Sequence, residues 1–103
     1  MNDTSKVYFI RIGDPSDNLY KVGSTNNIER RMYELERYYK KSVTVLWTSP
    51  AYSKYTALRI EEQTIESLKN ITGFSWIRKD RFIIDPSIHK ITIKVKKEWT
   101  IEF

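Results

Sequence analysis

The sequence predicts a single α/β (α+β) domain: a small three-stranded antiparallel sheet flanked by helices in the order β-β-α-β-α, then a short hairpin and a C-terminal helix or strand. Three observations predict it. With 103 residues, 40% of them hydrophobic, the chain can bury one core but not two, so residues 1–103 read as one domain. Short runs of β-branched and aromatic residues alternate with turn clusters, as strands do. Two stretches between them switch to helical spacing of their apolar residues.

Lys6 to Ile12 is a near-continuous β-forming run, and Gly13-Asp14-Pro15-Ser16-Asp17-Asn18 breaks it with a strong turn. Leu19 to Ser24 follows as the second strand of a hairpin. Strand alternation puts Val7, Phe9 and Arg11 on one face and Tyr8, Ile10 and Ile12 on the other. In the second strand Lys21 and Gly23 share a face opposite Tyr20 and Val22. A helix is expected from about Asn27 to Tyr39, because Met32, Leu35 and Tyr39 fall within about 40° of Ile28 on a helical wheel. Asn26, with Glu29 three residues on, reads as its N-cap, and Arg31 lies at the edge of the apolar stripe. Ser42 to Ser49 alternates apolar and hydroxyl side chains, a third strand closed by Pro50. A second helix runs from after Ser53 to about Asn70 and is ended by Thr72-Gly73. Phe74 to Ile84 reads as a hairpin turning near Lys79-Asp80. In the last segment Asp85-Pro86 is a good helix start and Ile88, Ile91 and Val95 keep helical spacing, yet Ile91, Ile93 and Val95 also alternate; a helix is the favoured reading.

Composition narrows the chemistry. Eighteen Lys and Arg against 13 Asp and Glu give a net charge of +5, which favours acidic partners such as nucleic acid without singling them out. The absence of cysteine removes disulfides, a thiol nucleophile and cysteine-held zinc, and a single histidine, His89, cannot build a His cluster. Any bound metal is therefore expected on oxygen ligands. No apolar run approaches the ~20 residues that span a bilayer, and the polar opening Met1-Asn2-Asp3-Thr4-Ser5 lacks a signal-peptide core. The expectation is a cytoplasmic protein, inside the host cell if it is viral, with no membrane partner.

One residue of the second helix breaks its pattern. With Ala57, Ile60, Thr64, Leu68 and Ile71 on the apolar arc, extended by Ile65 and Leu58, Glu61 falls inside that arc, whereas Glu62 and Glu66 fall on the solvent side. A buried carboxylate without a partner costs several kcal/mol, so Glu61 must be salt-bridged, protonated, metal-bound or at a point where the face opens to solvent. The helix alone does not choose among these.

The order of several short motifs bears on the choice. Val7-Tyr8-Phe9-Ile10, then Tyr20-Lys21-Val22-Gly23, then Arg31 eight residues after that glycine, then Ala57-Leu58-Arg59-Ile60-Glu61, resemble in sequence and spacing the motifs of the GIY-YIG nuclease superfamily. The first motif lacks its glycine and isoleucine, and Lys21 stands where the second tyrosine is usual. That substitution, with Gly73-Phe74-Ser75-Trp76 after the glutamate helix, resembles the phage and viral branch that carries Tyr-Lys-Ile/Val-Gly. The likeness covers residues 6–77. The family's C-terminal asparagine has no clear match; Asn70 is nearest.

This resemblance implies a metal-dependent endonuclease that hydrolyses DNA phosphodiester bonds, with little sequence specificity of its own. It places Mg2+ (or Mn2+) on Glu61, the scissile phosphate on Arg31, and the proton-accepting role on Tyr8 or Lys21; Tyr8 is the favoured candidate, its phenolate helped by Lys21, Arg31 and the metal, while Lys21 serves as base if it is desolvated enough to be neutral or else simply binds phosphate. Gly23, Ser24, Thr25, Lys40, Lys41, Arg78, Lys79 and Arg81 are the expected substrate contacts, the basic ones acting on phosphates regardless of sequence. His89 is expected in a surface or helix-capping role. Cutting both strands with one site calls for a dimer or two encounters, and the sequence leaves the oligomeric state open. Two other classes stay in view: a binding module of the same fold without turnover, and a small protein-interaction adaptor with Glu61 in a structural salt bridge.

Overall fold

The computed structural model describes residues 4–103. Met1 to Asp3, part of the polar opening, lie outside the described residues. The chain begins with the strand β1 (Thr4–Ile12), a single 3-10 turn (Pro15–Asp17) and the antiparallel strand β2 (Leu19–Thr25), in which Tyr8 pairs with Gly23 and Ile10 with Lys21. The turn is held by Asp14, whose side chain accepts from the Ser16 amide, and by Asn18 in the left-handed region at φ 52°. Helix α1 (Ile28–Tyr39) follows. Its N-cap is Asn27, accepting from the Arg30 amide, and not Asn26 as the capping pattern suggested; Asn26 instead receives the Arg30 guanidinium. The strand β3 (Val43–Thr48) returns beside β1 with a register shift at Phe9/Ile10, and the two-residue β4 (Tyr52–Ser53) pairs with the start of β1. Helix α2 (Lys54–Lys69), capped by Ser53, then crosses the sheet.

The sheet is wider than the expected three strands. Strands β5 (Phe74–Trp76) and β6 (Arg81–Ile84) form the expected hairpin, but β6 also joins the edge of β2, giving the order β3-β1-β2-β6-β5 with β4 off the path. Aromatic burial drives the join: Phe82 pairs with Tyr20 and stacks on it at 6.0 Å, while meeting Phe9, Phe74 and Trp76. The Asn18 side chain clamps the far end, donating to the Ile84 carbonyl at 2.6 Å and accepting from its amide.

The expected C-terminal helix is not formed. Lys90–Val95 is strand β7 and Lys97–Glu102 is strand β8, a separate antiparallel pair that reverses at Lys96, φ 66°. β-branched Ile91, Thr92, Ile93 and Val95 favour extended backbone, and the alternation buries Ile91, Ile93 and Val95 together. Asp85-Pro86 starts a turn, with the Asp85 side chain accepting from the Ser87 amide.

The two sheet faces are covered differently. Val7, Phe9, Tyr20, Val22 and Phe82 pack under α2 and the β7-β8 hairpin with Ile60, Leu68, Ile93 and Ile101. Tyr8, Ile10 and Ile12 pack on the opposite face against Met32 and Leu35 of α1. Helix α1 lies over β1 and β3, so the β2-β6 side of its face stays open.

Candidate nucleic-acid cleavage site

That open side is a cleft of about 500 Å³ lined by Lys21, Arg31, Glu34, Leu35, Tyr38, Tyr39, Asp80 and Arg81. Three of the expected residues, Lys21, Arg31 and Arg81, line it together. Strand pairing sets Lys21 beside Arg81 on the face of α1, and the edge position of Arg31 on its helix brings the guanidinium over the same gap.

Tyr8 and Gly23 lie beside the cleft on β1 and β2 without lining it. Tyr8 is 1% exposed and lies across Gly23, its strand partner. A Cβ on Gly23 would stand 2.3 Å from the Tyr8 hydroxyl oxygen and 2.5 Å from Cζ, so the missing side chain is what lets the phenol lie there. The Arg31 guanidinium lies close to the Tyr8 hydroxyl, and this neighbour, with Glu34 3.5 Å away, holds it still more firmly protonated despite partial burial.

Lys21 is nearly buried and ion-paired to Asp80, with side chains 9% and 39% exposed. Burial opposes charge on Asp80, but the hydrogen bond and charge of Lys21 outweigh it, and the carboxyl ends below its ordinary value. The Arg81 guanidinium sits over the Tyr39 ring at 5.7 Å.

Glu61 is placed apart from this cleft, on α2 and hence over the other sheet face. It is half-buried, so the apolar arc opens there, and it makes no hydrogen bond or ion pair among the described residues. Leu58, one turn earlier, lines a small cavity with Ser24 and Thr25. Strand β6 pairs only Tyr20 and Lys21 of β2, leaving the outer edge of Gly23 to Thr25 without a strand partner among the described residues. The two faces meet at that edge. Among the described residues no three His, Cys, Asp or Glu side chains cluster. A hard divalent cation that keeps water and phosphate oxygens needs only one or two carboxylates, and the unpaired Glu61 fits that demand.

The remaining expected contacts spread out. Arg78 and Lys79 are exposed in the β5-β6 turn, Lys40 closes α1 in the left-handed region at φ 56°, and Lys41 pairs with Asp17 at 2.6 Å on another surface. Tyr20 is core, Asn70 caps α2 and donates to the Glu66 carbonyl, and His89 is exposed. Sequence reasoning missed Asp80, Glu34, Tyr38 and Tyr39. Asp80 had a signal: it is the lone acid in Arg78-Lys79-Asp80-Arg81.

The T5orf172 domain profile matches residues 6–100. The chain belongs to the T5orf172 domain family. T5orf172 domains occur in phage-related, nuclease-like proteins. No curated protein and no solved structure matches the chain. No helix among the described residues is long and apolar enough to cross a membrane.

Proposed function

We propose that this T5orf172 domain is a metal-dependent DNA endonuclease of the GIY-YIG type. The observation that carries the reading is the convergence of the Lys21 ammonium and the Arg31 guanidinium on one cleft, with the Tyr8 phenol packed on Gly23 beside Arg31. Phosphodiester hydrolysis needs charge stabilisation on the phosphoryl group and a base for the attacking water. Arg31 offers its planar fork to the scissile phosphate. Tyr8, beside Arg31, is the group this reading offers to accept the proton of water. Glu61 would hold Mg2+ or Mn2+, which when bound supplies neutralising charge to the phosphate. Arg81, Arg78 and Lys79 extend a basic track from the cleft along the β5-β6 turn, suited to a DNA backbone.

The test is cleavage of labelled duplex, single-stranded and branched DNA at low salt with magnesium, manganese or chelator, beside Glu61→Ala. Metal-dependent cutting lost in Glu61→Ala, with folding and DNA affinity kept, is the expected result. Binding without cutting under every metal would reduce the domain to a binding module, and no affinity for DNA at low salt would remove nucleic acid as its partner.

A further inference from the structure

Lys21 is the one cation of the cleft with a nearly buried side chain, and an unpaired ammonium there would be costly. The charged and titratable groups around it are Arg31, Glu34, Tyr38 and Tyr39 from α1, Arg81 and Asp80 from β6 and its turn, and Tyr8 from β1. Glu34 is engaged with Arg31. Asp80 alone among these carboxylates meets Lys21, and its backbone is fixed: its carbonyl accepts from the Val22 amide at 3.0 Å, while the Ile77 and Arg78 amides close the turn onto the Arg81 carbonyl. Both partners are thus anchored, Lys21 in β2 and Asp80 in the turn that leads into β6. The ion pair seats the ammonium against the carboxylate, and an ammonium has three donors, of which one suffices for Asp80.

We propose that Asp80 is a positioning residue that fixes the Lys21 ammonium at the cleft floor as a phosphate-gripping cation beside Arg31, which takes Lys21 out of the role of proton acceptor. The inference rests on the phosphodiester reading above. It leaves two Lys21 donors for phosphate oxygens and leaves Tyr8 as the group that receives the proton.

The experiment pairs cleavage with a signal that does not need turnover. In the full chain, Lys21→Arg keeps cleavage within about tenfold of wild type, because a cation persists, whereas Lys21→Gln and the near-isosteric Asp80→Asn each lose about 10²-fold, on the order of one lost charge-stabilising contact. The Asp80→Asn loss is not additive with Lys21→Gln, since Asp80 acts through Lys21. In 15N spectra the wild-type Lys21 Nζ–H signal is protected from exchange and shifts when a short DNA duplex is added in chelator; Asp80→Asn loses both features. Lys21→Arg as inactive as Lys21→Gln, or Asp80→Asn cutting at the wild-type rate, overturns the proposal. If no form cuts, the nuclease reading fails separately and the spectra decide: a duplex-induced Lys21 shift that needs Asp80 upholds the positioning role, and its absence, or an unchanged shift in Asp80→Asn, overturns it.

Discussion

The two faces of the sheet differ in what covers them. Under α2 and the β7-β8 hairpin, the rings of Phe9, Tyr20, Phe82 and Phe103 interlock, and Trp47 meets Trp99 edge-on at 5.4 Å. Under α1, a small cluster of Tyr8, Ile10, Ile12, Met32 and Leu35 gives way to an open, cationic cleft. Apolar area removed from water is therefore concentrated on one face, and that face supplies most of the stability. The other can then hold several cations close together, an arrangement that would not support itself. Stability and chemistry share the same strands, residue by alternate residue.

The largest stability effect should come from Phe82, fully buried at 0% exposure and in contact with four other rings. Phe82→Ala is expected to cost about 3–5 kcal/mol in urea unfolding, as for other large aromatic truncations. A cost below about 1 kcal/mol would mean that this face is not the stabilising one.

Gly23→Ala reverses the emphasis. Its new Cβ meets the Tyr8 hydroxyl and ring, which are held in the sheet by the neighbours of β1, so the phenol must shift. Overpacking of this kind costs about 1–3 kcal/mol. The effect on cleavage should exceed the effect on folding, because the Tyr8 hydroxyl is displaced from its place near Arg31; unaltered cleavage at reduced stability would separate Gly23 from the chemistry.

Acid offers a smaller, graded probe of the cleft. The carboxyl of Asp80 lies below its ordinary value of 3.8 in the folded state. Its stabilisation is present in full above that ordinary value and is lost as pH falls through the depressed folded one. Wild type should therefore lose stability below about pH 4 more steeply than Asp80→Asn, and the two curves should converge at the acid limit. Parallel curves would show that the Lys21 pair adds nothing to folding.

Much of this was readable in the sequence up to residue 71, and less beyond. The strands around Tyr8 and Lys21, the face each side chain takes, and both helices follow from local periodicity, which is strong where one face is buried. The C-terminal third depends on partners distant in sequence. Nothing near Phe82 announces that it will meet Tyr20, and so the wider sheet, and with it the approach of Asp80 to Lys21, was hidden. Lys96 reverses a hairpin without the glycine or asparagine that usually marks such a turn, which left Ile88, Ile91 and Val95 free to suggest a helix. For Glu61 the sequence identified the anomaly, while the structure shows a half-buried carboxylate and not a fully buried one.

The smallest expected effect separates cations that face the cleft from cations that do not. Lys41 and Arg81 carry the same charge, and composition alone would weigh them equally. Lys41 already has Asp17 at 2.6 Å and lies on another surface, so its field is largely cancelled locally. Arg81 lines the cleft and rests on the Tyr39 ring, with no carboxylate partner among the described residues. A phosphate contact releases about one counterion, so Arg81→Gln should flatten the salt dependence of DNA binding by roughly one unit of log–log slope. Lys41→Gln should leave that slope unchanged and shift affinity by less than about threefold, the scale of a screened surface charge. Equal slopes for the two variants would mean that DNA responds to the net charge of the domain and not to the cleft.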